Sequence, residues 1–136
     1  MENKIENTIH ELNPGKNFAI GNDLVFIPDF QLSLTDLFKN KVYTPAELDY
    51  CEQFDNSLLH YASTWAAKEA AYKALKQLNP ATLGWKKLEI LREKIGGKPT
   101  VINHNQPGKF NISLSISHDG DYAWAIAFVT ANTGAS

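Results

Sequence analysis

The chain reads as a single α+β domain, an antiparallel-rich sheet packed by one long helix, and three stretches predict it. Ile112, Leu114 and Ile116 alternate strictly with Ser113, Ser115 and Ser117, the pattern of a half-buried strand. The run from Phe18 to Ile27 is apolar and rich in β-formers, which predicts a largely buried strand. Between Ser57 and Leu78, the residues Leu58, Ala62, Trp65 and Tyr72 recur at helical spacing and are expected to pack on the sheet.

The remaining elements follow from punctuation. The first strand covers about 17–27, and Pro28 ends it. A short helix is expected over 33–40. Thr44-Pro45-Ala46-Glu47 is a capping box with proline at the first helical position, so a helix starts there and runs to about Phe54. Ser57 is the expected cap of the long helix, which Asn79-Pro80 stops. A strand from Trp85 to Lys94, a turn at Gly96-Gly97 and a strand from Pro99 to His104 follow. Asp119-Gly120 turns a final hairpin whose second strand runs from about Tyr122 to Thr130.

With 136 residues and a hydrophobic fraction of 43%, the chain can build one core and no second ordinary domain. The expected organisation is an N-terminal extension over 1–16, the domain over 17–130 and a flexible tail over 131–136. The net charge of −2 gives no electrostatic footprint for nucleic acid. The single cysteine, Cys51, excludes an intramolecular disulfide and is expected to be buried and inert in a helix. The polar N-terminus reads as neither a signal peptide nor a membrane span, so a cytoplasmic location is expected. His10 and His104 have no supporting residues and are assigned nothing.

Chemistry concentrates in three places. Glu69 and Lys73 stand four apart in the long helix and share one face. They form either a surface ion pair or a holder for a metal and a phosphate. Asp23 sits within an apolar strand, where an unpartnered carboxylate is expensive. It either caps the strand end, pairs with a buried lysine, or meets a cation. Gly21, two residues earlier, would leave room on that face for a ligand. His118, beside Ser117 at the mouth of the hairpin, is either an exposed loop histidine or a phosphate donor.

Taken in order, these pieces resemble a known family. Gly21-Asn22-Asp23-Leu24-Val25, then Trp65-Ala66-Ala67-Lys68-Glu69-Ala70 with Lys73, then Leu114-Ser115-Ile116-Ser117-His118-Asp119 resemble the 4′-phosphopantetheinyl transferases. The similarity is to the short, single-domain holo-acyl-carrier-protein synthases. Val42-Tyr43-Thr44-Pro45-Ala46-Glu47-Leu48 and Gly97-Lys98-Pro99 extend it over roughly residues 18–130. The resemblance implies a phosphopantetheinyl transferase-like fold. It implies transfer of phosphopantetheine from coenzyme A to a serine of an acyl carrier protein or related carrier domain, with Mg²⁺ and release of adenosine 3′,5′-bisphosphate. By that resemblance Asp23 and Glu69 hold the metal, and Glu69 and Lys73 act in catalysis. Lys68, Lys73, Ser117 and His118 contact coenzyme A, with His118 at its 3′-phosphate. The family's longer members carry two similar halves. A chain of half that length is expected to make its cleft with a copy of itself, and the resemblance to the short subgroup implies a homotrimer, with His118 reaching a neighbouring subunit's site.

The chain also departs from the family pattern. Asp29 lies in the region that usually carries an arginine for the acidic carrier protein. Thr64 stands where an arginine contacting the 3′-phosphate is usual. Lys76 to Gly84 replaces the usual glycine-rich turn. Lys39, Lys41 and Lys76 are the candidates for a local basic patch, and each reads more simply as a solvated lysine. Two other readings stand beside transfer: an inactive coenzyme A-binding relative, and a hot-dog-type thioesterase or dehydratase with no need of a metal pair.

Overall fold

The computed structural model describes residues 18–92 and 97–132. The N-terminal extension, His10, Lys94, Gly96 and most of the tail lie outside the described residues. The order is β1 (Phe18–Phe26), α1 (Ile27–Ser33), α2 (Asp36–Val42), α3 (Pro45–Glu52), α4 (Ser57–Leu78), a 3₁₀ turn (Trp85–Lys87), β2 (Leu88–Leu91), β3 (Thr100–Asn103), β4 (Phe110–Asp119) and β5 (Tyr122–Ala131). This is the expected α+β arrangement, with the strands in two antiparallel sheets. One has the order β1-β5-β4, and the other pairs β2 with β3.

Local signals explain the boundaries. Pro28 ends β1 as expected, but it also suits the first turn of a helix, so α1 begins at once. The one short helix expected over 33–40 is therefore two helices. Thr35 caps the second by accepting the Phe38 amide at 3.2 Å. The capping box is present: the Thr44 hydroxyl accepts the Glu47 amide at 3.2 Å, and Glu47 Oε1 accepts the Thr44 amide at 2.8 Å. Asn56, rather than Ser57, caps α4 through the Leu59 amide at 3.3 Å. Trp85 opens a 3₁₀ turn instead of a strand, because the Lys87 amide bonds back to Gly84 O at 3.0 Å. The last hairpin closes through Gly120 at φ +56°, which glycine adopts without strain.

The core is a close seam between α4 and the inner face of the three-stranded sheet. Ala62, Ala66, Ala70 and Ala74 recur at i+4 along α4, and all are fully buried. Opposite them lie Ala19, Val25, Ala123, Ala125, Ala127 and Val129. Small residues on both sides let helix and sheet approach closely. Gly21 marks the tightest point, where an added Cβ would lie 2.1 Å from the Ala70 carbonyl oxygen. The room expected at Gly21 for a ligand is thus filled by the helix backbone. Trp65 and Tyr72 do not lead the sheet contact either. They pack on Trp85 at 4.7 and 5.1 Å, and Trp65 also meets Phe38 at 5.2 Å, on the flank of the helix. Cys51 is fully buried in α3, as expected.

Candidate active site

Alternation along β1 puts Asp23 on the inner face beside Ala125 of β5, 9% exposed. The 3.6-residue period of α4 carries Glu69 and Lys73 to the helix face that looks onto it. Lys73 Nζ donates to Asp23 Oδ1 at 2.8 Å and to the Asn22 carbonyl at 3.3 Å. Glu69 faces Asp23, and its carboxyl can hydrogen-bond Asp23 only while it carries a proton. Burial, that bond and the Asp23 charge push the Glu69 carboxyl up to about 7, against the pull of Lys73 and Trp65. The nearby ammonium raises the stakes on the other side: its bond to Asp23 holds Lys73 above the ordinary lysine value. Asp23 and Glu69 line an open groove of about 380 Å³ with Trp65, Phe30, Phe38 and Asp29, and Lys73 reaches its edge through Asp23.

Two carboxylates held face to face repel one another, and one lysine offsets only part of that charge. Hard oxygen donors of this kind suit Mg²⁺, which commonly takes one or two carboxylates and completes its shell with phosphates and water. Among the described residues there is no group of three or more metal-ligating side chains. The pair therefore fits a metal that also needs an anionic substrate.

Lys68 is a correction. It was expected to contact the ligand, but it turns inward and is fully buried. Its Nζ meets Glu47 Oε1 at 2.8 Å and donates to the carbonyls of Trp85 at 2.8 Å and Leu88 at 2.7 Å. All three ammonium protons are engaged within the fold. Glu47 Oε2 in turn accepts the Ile90 amide at 2.8 Å. Burial pushes Glu47 up and Lys68 down, and their mutual contact opposes both shifts. The network ties α3, α4 and β2 together, and it braces the helix turn that carries Glu69.

His118 and Ser117 lie away from the acids. The sheet order makes β1 and β4 its two edges, so Asp23 stands on one edge strand and His118 on the other. Alternation also separates the neighbours: Ser117 pairs with Trp124 on the outer face, whereas His118 pairs with the buried Ala123. His118 borders a second cavity with Arg92, His60 and Ser63. Arg92 was missed in the sequence, since a lone arginine at a strand end gives no signal of what it reaches. The candidate basic lysines do not gather: Lys39 Nζ is 3.5 Å from Glu52 Oε1 and sits over the Tyr61 ring, while Lys76 lies over Tyr72. No helix of the described residues is long and apolar enough to cross a membrane.

Comparison with known proteins shows the family and supports the fold. Residues 19–127 match the model of the 4′-phosphopantetheinyl transferase superfamily. The chain is 36% identical over 115 residues to a holo-acyl-carrier-protein synthase of Koribacter versatilis, covering 77% of this chain and 91% of that one. It is 33% identical over 118 residues to fatty acid synthase subunit alpha of Candida parapsilosis, covering 80% of this chain but 6% of that protein. The Chronobacterium ammoniagenes ACPS–CoA complex superposes with a TM-score of 0.70 at 30% identity, covering 84% of this chain and 97% of that chain. The Helicobacter pylori holo-acyl-carrier-protein synthase in complex with coenzyme A gives a TM-score of 0.65 at 28% identity, over 82% and 99%. The hot-dog reading lapses with these matches. The chain belongs to the 4′-phosphopantetheinyl transferase superfamily, as an enzyme of the holo-acyl-carrier-protein synthase type.

Proposed function

We propose that this protein transfers 4′-phosphopantetheine from coenzyme A to a serine hydroxyl of an apo acyl carrier protein, in a Mg²⁺-dependent reaction that releases adenosine 3′,5′-bisphosphate. The observation that carries this reading is the Asp23–Glu69–Lys73 cluster, two facing carboxylates and a lysine spanning β1 and α4. Asp23 and Glu69 would hold Mg²⁺, which when bound neutralises pyrophosphate charge. Lys73 places an ammonium where charge develops on the transferring phosphoryl group. The serine oxygen bonds to the phosphorus that bears pantetheine, and the pyrophosphate P–O bond breaks. The serine proton passes to Glu69, the carboxylate beside the attacking oxygen. The adenosine bisphosphate leaves with the bonding pair.

The separation of Asp23 from His118 supports a site shared between copies. The outer face of the three-stranded sheet exposes Phe18, Ile20, Leu24, Phe26, Trp124 and Phe128, an apolar surface that a second copy would cover. A head-to-tail contact that sets the β4 edge of one copy against the β1 edge of the next brings His118 to the neighbour's acids. A head-to-tail contact forms a ring when its rotation closes, and a trimer is the ring expected here from the resemblance to the short subgroup.

Intact-mass analysis of an apo acyl carrier protein, incubated with this protein, coenzyme A and Mg²⁺, tests the reading. A gain of one phosphopantetheine group is expected, lost with Glu69→Ala and with chelator. An unmodified carrier, across carriers of fatty-acid, polyketide and peptide synthesis, would refute it.

A further inference from the structure

β1 is an edge strand, paired with β5 on one side only. Alternate carbonyls along its open side therefore have no strand to bond. Two of them are taken by side chains of α4. Gln77 Nε2 donates to the Ile20 carbonyl at 2.8 Å, and Lys73 Nζ donates to the Asn22 carbonyl at 3.3 Å. The donors stand four residues apart on the helix and the acceptors two apart on the strand, so both pairs line up along one seam as a clasp. Gly21 lies between the two carbonyls, where strand and helix backbone come closest. Asp23 follows directly after Asn22.

The two halves of the clasp are not equivalent. Lys73 also donates to Asp23 Oδ1 at 2.8 Å, and its side chain is 53% exposed, so it can swing from the strand to a substrate. When its ammonium turns to phosphate charge, its hold on the strand goes with it. Gln77 is neutral, so an arriving phosphate does not draw it away. Its amide also donates to the Lys73 carbonyl at 3.3 Å, which keeps the side chain on its own helix turn while it reaches a strand residue 57 positions back. A glutamine four residues beyond the lysine gives no sign of this in the sequence, because the Ile20 carbonyl meets it only once α4 has settled on β1.

We propose that Gln77 is a positioning residue for the transfer reaction: it keeps β1, and with it Asp23, seated against Glu69 while Lys73 is released to the substrate. The role of Lys73 in this inference rests on the transferase reading, whereas the clasp stands on the hydrogen bonds alone. Gln77 touches neither metal nor substrate and acts through the strand. In the resting protein the two anchors back one another up, and either one holds the strand. Once substrate engages Lys73, Gln77 is the anchor that remains.

Two measurements test this. The first is amide hydrogen exchange of the β1 segment, read by mass spectrometry on the ligand-free wild type, Gln77→Ala, Lys73→Met and the double variant. Each single loss should speed exchange by less than about twofold, and the double loss by about tenfold, beyond the product of the two. Effects that simply multiply, or an unchanged double variant, overturn the clasp. The second is steady-state transfer to an apo acyl carrier protein with coenzyme A and Mg²⁺. Gln77→Ala, and Gln77→Glu, which keeps the shape but loses the donor, should lower kcat about fivefold and hold the KM for coenzyme A within about twofold of wild type. Gln77→Lys keeps a donor and should recover most of the loss. An unchanged kcat, a loss carried by KM alone, or no recovery with Gln77→Lys overturns the positioning role. A wild type that transfers to no carrier overturns the transferase reading and the positioning role with it, while hydrogen exchange still decides the clasp.

Discussion

Gly21→Ala tests how the seam between β1 and α4 sets the active site. An added Cβ would stand 2.1 Å from the Ala70 carbonyl oxygen, 2.8 Å from the Ala74 amide nitrogen and 3.1 Å from the Ala70 carbonyl carbon. Ordinary contact begins near 3.4 Å, so strand and helix must part by about 1.3 Å. Every one of these atoms is backbone in a helix of 22 residues, so no side chain can rotate aside. Overpacking typically costs ~1–3 kcal/mol, and a backbone obstruction belongs at the upper end. At roughly 3–4 °C per kcal/mol for a domain of this size, the melting temperature should fall by about 10 °C. The consequence extends to chemistry. Asp23 is two residues beyond Gly21, and Glu69 and Lys73 immediately precede Ala70 and Ala74. The same separation stretches the 2.8 Å Lys73–Asp23 contact past hydrogen-bond reach. Transfer should therefore slow even at a temperature where the variant is folded. Urea unfolding and the intact-mass transfer rate read the two effects. Gly84→Ala is the control, since its nearest neighbour is 4.0 Å away. A Gly21→Ala protein with wild-type stability would refute the packing argument. One that is destabilised but transfers at the wild-type rate would refute the link to the site.

Three further outcomes are expected. Glu47→Ala strands a fully buried lysine, so it should cost about 3–5 kcal/mol in urea unfolding, and adding Lys68→Met should recover much of that loss; a double variant no better than the single would count against the pair. Glu69 is raised in the fold from 4.5 to about 7, so its ionisation destabilises the metal-free protein; the penalty is absent below about pH 4.5, grows as pH rises through 7 and is constant above. Metal-free Glu69→Gln should thus exceed wild type by on the order of 1–2 kcal/mol at about pH 8 and match it near pH 4, and thermal unfolding showing the same gap at both would argue against the facing carboxylates. Finally, Glu69→Ala and His118→Ala chains, each inactive, should regain partial transfer activity when mixed under subunit exchange; no recovery would sink the shared site.

The elements carried the plainest signals because their causes are local. Thr44 and Glu47 meet across a single helical turn, and Gly120 suits its turn by its own φ. Glu69 and Lys73 share a face by helical spacing alone. What spacing does not give is which side of a face turns inward. Lys68 and Glu69 are adjacent, about 100° apart around the helix. One is sealed under the 3₁₀ turn and β2, while the other lines the groove. Either could have been the outward one until the sheet was laid against the helix. Gly21 carries the same lesson, because an empty side-chain position can admit a ligand or a neighbouring backbone.

The sequence by itself determined the α+β class, the Thr44–Glu47 capping box, the Gly120 turn, and the identities of Asp23, Glu69 and Lys73 as the candidate acids and base. Only the tertiary structure decided that Lys68 is a buried strut paired with Glu47, that His118 lies on the opposite edge from Asp23, and that Arg92 reaches Thr64. The reason is range. Arg92 and Thr64 are separated by 28 residues, and Lys73 and Asp23 by 50. Contacts at such distances follow from how closely α4 settles on the sheet, which small residues along the whole seam set together.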